Sequence, residues 1–138
     1  MLTIHIDGAS RGNPGPSGIG VVIIKNKLII SEYDEFIGKK TNNQAEYAAL
    51  KKALQIASIL DNEITILSDS KLVVSQRKNK YRVRNKQIKI IFREISNLEK
   101  QFRTVIYRYI PRAKNHYADF LANRAIDEAL RPNNTKSF

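Results

Sequence analysis

Cysteine is absent from all 138 residues, which excludes disulfides, thiolate zinc sites and a cysteine nucleophile. Histidine is scarce as well, with only His5 and His116. No apolar run approaches the ~18 residues of a membrane-spanning helix, and the N-terminus enters a strand directly, without a basic leader or cleavage site. The chain therefore reads as soluble, cytoplasmic and free of membrane contact, with nothing that demands an obligate dimer. Acidic residues are in deficit, 13 against 24 Lys and Arg, for a formal charge of +11. The deficit is local. Between Lys71 and Ala118 there are 14 basic and 2 acidic residues, which points to a polyanionic partner such as nucleic acid rather than to a merely solubilising surface. The length suits one domain, burying roughly two-thirds of its unfolded surface. It spans residues 1–130, and the tail 131–138 reads as disordered.

Leu2, Ile4 and Ile6 alternate with Thr3, His5 and Asp7, the period of a strand with one apolar face. The strand is expected to end at Asp7, because four glycines and two prolines follow within residues 8–18 and read as a turn. An acid at the carboxyl end of a strand, backed by such a stretch, is where open α/β sheets place their chemistry. Asp also starts ordinary turns, so the other carboxylates carry the weight.

Ile19 to Ile24 and Leu28 to Ile30, joined by Lys25-Asn26-Lys27, predict a hairpin whose second arm continues through Ile37. The period then changes. Thr41-Asn42-Asn43-Gln44 predicts a helix start with Thr41 as N-cap and Gln44 closing a capping box. Glu46 heads the apolar stripe of that helix instead of lying among Lys51, Lys52 and Gln55. Glu63 to Asp69 is a second strand ending in an acid, and Asp69 also suits an N-cap for the short helix that follows. A helical crossover makes this strand parallel to the first, so Asp7 and Asp69 share an edge that Glu46 can reach.

Asn85 caps a helix with Ile88, Ile91, Phe92, Ile95 and Leu98 inward and Lys86, Lys89, Arg93 and Lys100 outward, the expected phosphate-binding face. Thr104 to Ile110 is the last strand. Pro111 to Asn115 turns into a final helix, with Asp119 at the border of its apolar face. Four acids, Asp7, Glu46, Asp69 and Asp119, can thus converge. Packed like charges need cations, and oxygen-only ligands select Mg²⁺ or Mn²⁺. Two such ions about 3.5–4 Å apart clamp a phosphodiester for in-line attack by water.

The motifs Asp7 to Gly18, Thr41 to Glu46, Ser68 to Ser70 and Arg112 to Asn123 together resemble ribonuclease HI over nearly the whole chain and in the right order. The resemblance implies an α/β, ribonuclease H-like fold, a five-stranded mixed β-sheet flanked by α-helices. It implies hydrolysis of RNA paired to DNA, giving 5′-phosphate and 3′-hydroxyl ends, with double-stranded RNA as a further candidate substrate. By that likeness Asp7 bridges two Mg²⁺ ions, Asp119 completes the nucleophile side, and Glu46 and Asp69 serve the leaving-group side. Glu46 also lies close to the 2′-hydroxyl of the substrate. Asn13, Asn42 and Asn43 match minor-groove contacts that sense this hydroxyl, while Lys39 and Thr41 match a pocket for a phosphate of the DNA strand.

This chain departs from the long bacterial enzymes twice. Arg77 to Asn85 bridges the place of their basic protrusion, and Pro111 to Asn115 leaves no room for their histidine-bearing loop. His116 reads as a surface residue of a helix start and His5 as a packed strand residue. Two alternatives compete: a DNA-directed nuclease of the same fold, and a non-catalytic module that binds duplexes or hybrids.

Overall fold

The computed structural model describes residues 1–78 and 83–132. Lys80, Tyr81 and Arg82 of the basic stretch lie outside the described residues, as does the expected tail beyond Pro132. The elements run β1 (Leu2–Ser10), β2 (Gly15–Lys25), β3 (Leu28–Lys40), α1 (Asn42–Ala57), β4 (Glu63–Ser68), α2 (Lys71–Arg77), α3 (Lys86–Glu99), β5 (Thr104–Tyr109) and α4 (His116–Leu130), with a 3-10 turn at Arg112–Lys114.

The five strands form one sheet in the order β3-β2-β1-β4-β5. β1, β2 and β3 are antiparallel neighbours, whereas β1–β4 and β4–β5 are parallel. Asn26 and Lys27 take positive φ of 51° and 66°, which makes the two-residue turn whose twist suits a hairpin. The mixed sheet and its helices are those expected from the motifs.

The main core lies between the sheet and α1, α2 and α3, where Leu2, Ile4, Ile6, Tyr47, Leu50, Leu54, Ile64, Ile66 and Ile95 are all buried. On the other face α4 packs Ala118 and Leu121 against Val22. Capping behaves as the sequence predicts at α1: Thr41 Oγ1 accepts from Gln44 N at 3.1 Å, and Gln44 Oε1 accepts from Thr41 N at 2.8 Å. At α3, Asn85 Oδ1 accepts from Ile88 N at 3.0 Å.

Two local expectations are corrected. β1 does not stop at Asp7 but pairs with β2 as far as Ser10↔Ser17, so only residues 11–14 turn. Much of the glycine-rich stretch is strand because helices come down onto it. A Cβ on Gly8 would stand 2.2 Å from the Ala45 carbonyl carbon, and one on Gly20 would stand 2.2 Å from the Ala118 carbonyl oxygen. These glycines seat α1 and α4 on the sheet. The second correction is the cap of α2, which is Ser70 and not Asp69: Ser70 Oγ accepts from Val73 N at 3.2 Å. Asp69 is left with its carboxylate uncommitted to the helix.

Candidate active site

Asp7 lies where the sheet changes neighbours. The parallel ladder between β1 and β4 ends at Ile6↔Ser68, while antiparallel pairing with β2 continues at Asp7↔Gly20. Asp7 and Asp69 therefore emerge side by side at the carboxyl edge of the parallel pair, with β1 still held from its other side. Glu46 arrives from α1, one turn in from its start. Its Oε1 accepts from Gly8 N at 2.5 Å, a contact that exists only because Gly8 lets α1 sit against β1. Ligand oxygens of Asp7, Glu46 and Asp69 lie within 4.8 Å of one another. Asp7 is 7 % exposed and Glu46 5 %.

Asp119, on the first turn of α4, stands outside this tightest trio, but its carboxyl faces the same cleft and helps to raise Asp7. The four acids share one cleft of about 360 Å³, lined also by Asn42, Arg112, Asn123 and the β1 backbone after Asp7. A larger groove of about 630 Å³ between α1, α3 and β3 holds none of them. Two of the groove's cations are already paired, Lys51 with Glu94 at 3.0 Å and Lys52 with Glu35 at 3.9 Å, so the chemistry belongs to the smaller cleft.

Electrostatics mark the cleft as a site that lacks positive charge. Burial, reinforced by the Glu46 carboxylate and by contacts with Asp119 and Asp69, pushes Asp7 up to about 10. Burial likewise raises Glu46 to about 7, against the opposing pull of the Gly8 N–H. Asp69 is also raised by burial, while a hydrogen bond from Asn115 and the charge of Arg112 hold it back. Arg112 comes within 4.0 Å of Asp119 but is 82 % exposed, too solvated to neutralise the cluster. A compact set of acids whose charged forms are this disfavoured, with oxygen donors alone, fits hard divalent cations.

The five expected substrate contacts are placed unequally. Asn42 lines the cleft. Asn13 is on the β1–β2 turn and its Oδ1 accepts from Asn42 N at 3.0 Å, tying that turn to the start of α1. Asn43 is exposed on the same first turn, Lys39 is exposed at the end of β3, and Thr41 spends its hydroxyl on the cap. None of these four lines the cleft. His116 is exposed at the start of α4, and His5 is half-buried in β1, as expected. Residue patterns did not single out Asn123 or Arg112 as cleft walls. Asn123 donates to the Asp119 backbone carbonyl at 3.0 Å and to its carboxylate at 3.2 Å. The spacing of four residues within one helix was its only sequence signal.

With this geometry in place, likeness to known proteins assigns the family. Residues 5–125 match the family model described as reverse transcriptase-like. The chain is 41 % identical over 133 residues to the bifunctional protein Rv2228c of Mycobacterium tuberculosis, spanning 36 % of that protein's length. It is 30 % identical to a ribonuclease H of Coxiella burnetii, covering 95 % of this chain and 93 % of that one. Among solved structures it superposes with TM-score 0.90 and 39 % identity on LC11-RNase H1 in complex with an RNA/DNA hybrid, over 94 % of this chain and 99 % of the other. The chain spans about a third of the longer mycobacterial relatives but nearly all of the Coxiella and LC11 proteins, and it belongs to the ribonuclease H family.

Proposed function

We propose that this domain is an endoribonuclease that hydrolyses the RNA strand of RNA–DNA hybrids, leaving 5′-phosphate and 3′-hydroxyl ends. The observation that carries the reading is the convergence of Asp7, Glu46, Asp69 and Asp119 in one cleft, with the amides of Asn42 and Asn123 in its wall. A relative of the same fold, solved with an RNA/DNA hybrid, supports the choice of substrate.

In this reading the four carboxylates hold two divalent ions, Mg²⁺ with Mn²⁺ as substitute. Bound there, the ions would supply an activated water and charge stabilisation at the scissile phosphate. Asp7, facing all three other acids, would contribute the central carboxylate of this set. Asp119 serves the side of the attacking water, while Glu46 and Asp69 serve the side of the departing oxygen. Gly8 N–H fixes the direction of the Glu46 carboxylate, so its free oxygen is committed to the cleft. Asn13, Asn42 and Asn43 read the minor groove, where an amide can both donate to and accept from the 2′-hydroxyl. Lys39 and Thr41 grip a phosphate of the DNA strand from the end of β3, and double-stranded RNA is a second candidate substrate. A cysteine-free chain of this charge suits a monomer acting in the cytoplasm. Among the described residues no helix is long and apolar enough to cross a membrane.

The experiment is cleavage of one end-labelled RNA paired with DNA, paired with RNA, and single-stranded, in Mg²⁺, Mn²⁺ or chelator. Metal-dependent cutting of the RNA in the hybrid is the expected result. Binding without cutting under either metal would replace the enzyme by a hybrid-binding module.

A further inference from the structure

Asn115 occupies the N-cap position of α4, where Asn normally accepts a hydrogen bond from the helix backbone, yet its side chain makes no capping bond. Its side chain is 1 % exposed and turned inward instead. Nδ2 donates to the Ile6 carbonyl of β1 at 2.8 Å, and the amide stands against the Asp69 carboxylate, whose charged form it favours. Both of those groups only accept, so the amide turns its N–H side towards them. The amide oxygen is thereby left facing Nδ1 of His5, 3.2 Å away. An oxygen can only accept there, so His5 must carry its proton on Nδ1.

The backbone of Asn115 completes the junction, since its carbonyl accepts from Asp119 N at 3.1 Å. One residue thus ties β1, the end of β4 and the start of α4 together, beside three of the four acids. The alternative rotamer of the amide would aim an oxygen at the Ile6 carbonyl and at a carboxylate, a repulsive arrangement in a buried place.

We propose that His5 is a positioning residue for Asp69: by donating to the Asn115 amide oxygen it locks the amide orientation that holds the Asp69 carboxylate toward the cleft. His5 touches neither substrate nor reacting atoms. Its role is that of the outer partners of metal-site ligands, whose loss typically weakens metal affinity or activity by about 10- to 100-fold. The inference rests on the proposed metal-binding role of Asp69, and its test begins without any nucleic acid.

Mn²⁺ is titrated calorimetrically into the full chain and into His5→Phe and His5→Asn, with the Asn115 side-chain amide resonances recorded for each. Phe keeps the ring and removes the donor, whereas Asn returns an N–H at the place of Nδ1. His5→Phe is expected to bind Mn²⁺ about 10-fold more weakly, to shift the Asn115 amide signals and to melt within a few degrees of the parent. His5→Asn is expected to recover most of the affinity. In hybrid cleavage, kcat falls for His5→Phe while KM stays. Parental Mn²⁺ affinity and unmoved amide signals in His5→Phe would overturn the proposal, as would equal losses in both variants. If the parent binds Mn²⁺ and responds to His5→Phe but cuts no hybrid, the positioning role stands and the ribonuclease reading falls.

Discussion

Two groups of buried charge in this domain are treated in opposite ways. At the carboxyl edge of β1 and β4, Asp7, Glu46 and Asp69 crowd together in a cleft whose cations are the solvated Arg112 and Arg11, which is paired with Asp127 at 2.6 Å. Between α2, α3 and β5, the Arg77 side chain is 4 % exposed and forms an ion pair with Glu99. Glu99 also accepts from Tyr107, and Arg77 donates to the Phe92 carbonyl and Ser96 and lies 4.2 Å over the Phe92 ring. The second group satisfies itself, charge against charge and donor against acceptor. The first does not, and the deficit is what a cation would fill. A fold that can close a buried ion pair so completely in one place leaves the other open where function needs it.

The sharpest way to break the comparison is to remove one charge from each group. Asp7→Asn is expected to abolish hybrid cleavage, by about three orders of magnitude or more, while hybrid binding measured in Ca²⁺ persists. The same change should raise the stability of the metal-free protein at neutral pH, because an amide enters the buried site without having to take up a proton. Retained turnover in a metal-replete assay would remove Asp7 from the centre of the site. Arg77→Met should do the reverse. It leaves Glu99 partly buried without its partner, at a cost of about 3–5 kcal/mol, read from the urea midpoint. Cleavage per folded molecule is expected to be unchanged, since the ion pair lies outside the cleft. A coupled Arg77→Met, Glu99→Gln variant should recover part of the loss.

Titration sharpens the same contrast. Asp7 moves from its ordinary 3.8 to about 10 in the metal-free fold, so between those values the folded state holds a proton that the unfolded chain has released. The stability contributed by this group is full at low pH and is lost as pH climbs through that window. Metal-free melting temperature should therefore fall from pH 5 to pH 9, and added Mg²⁺ or Mn²⁺ should stabilise more at pH 8 than at pH 6, because binding must expel protons. A flat metal-free profile would mean that the acids are already compensated.

How much of this was legible in the sequence depended on the range of the interaction. The capping residues Thr41 and Asn85 act within one helical turn and were read directly. The four acids are legible because each follows an apolar strand pattern or lies near the start of a helix, and a crossover topology brings such positions to one edge even though β1 runs on past Asp7. Gly8 and Gly18 were read as turn residues, since nothing local tells that α1 and α4 descend onto them. Asp69 yielded its capping role to Ser70, a one-residue difference that pattern does not resolve. Arg77 with Glu99, and His5 with Asn115, join elements 22 and 110 residues apart. Such pairs have no signature in a single chain, because only packing decides which polar side chains are buried together.

The smallest expected effect concerns the basic half of the molecule. Lys86, Lys89, Arg93 and Lys100 stand exposed along the outer face of α3, and among the described residues none of them takes part in an ion pair. By contrast Lys51, Lys52, Arg77, Arg103 and Arg124 all have carboxylate partners. α3 begins beside the start of α1, where Gln87 accepts from Gln44, so a duplex seated over Asn42 would reach the start of this ridge first. Cations without carboxylate partners can exchange their counterions for phosphates at no internal cost, and each phosphate contact contributes about 0.9 to the slope of log affinity against log salt. Replacing Lys86, Lys89 and Arg93 together by Gln should lower the salt slope of hybrid binding by roughly 1 to 3, with kcat at saturating hybrid unchanged. Removing Lys100, at the far end, should matter least. An unaltered slope would place the polyanion's path along Arg112 and the β5 side, and would leave the charge of α3 as a solvated face.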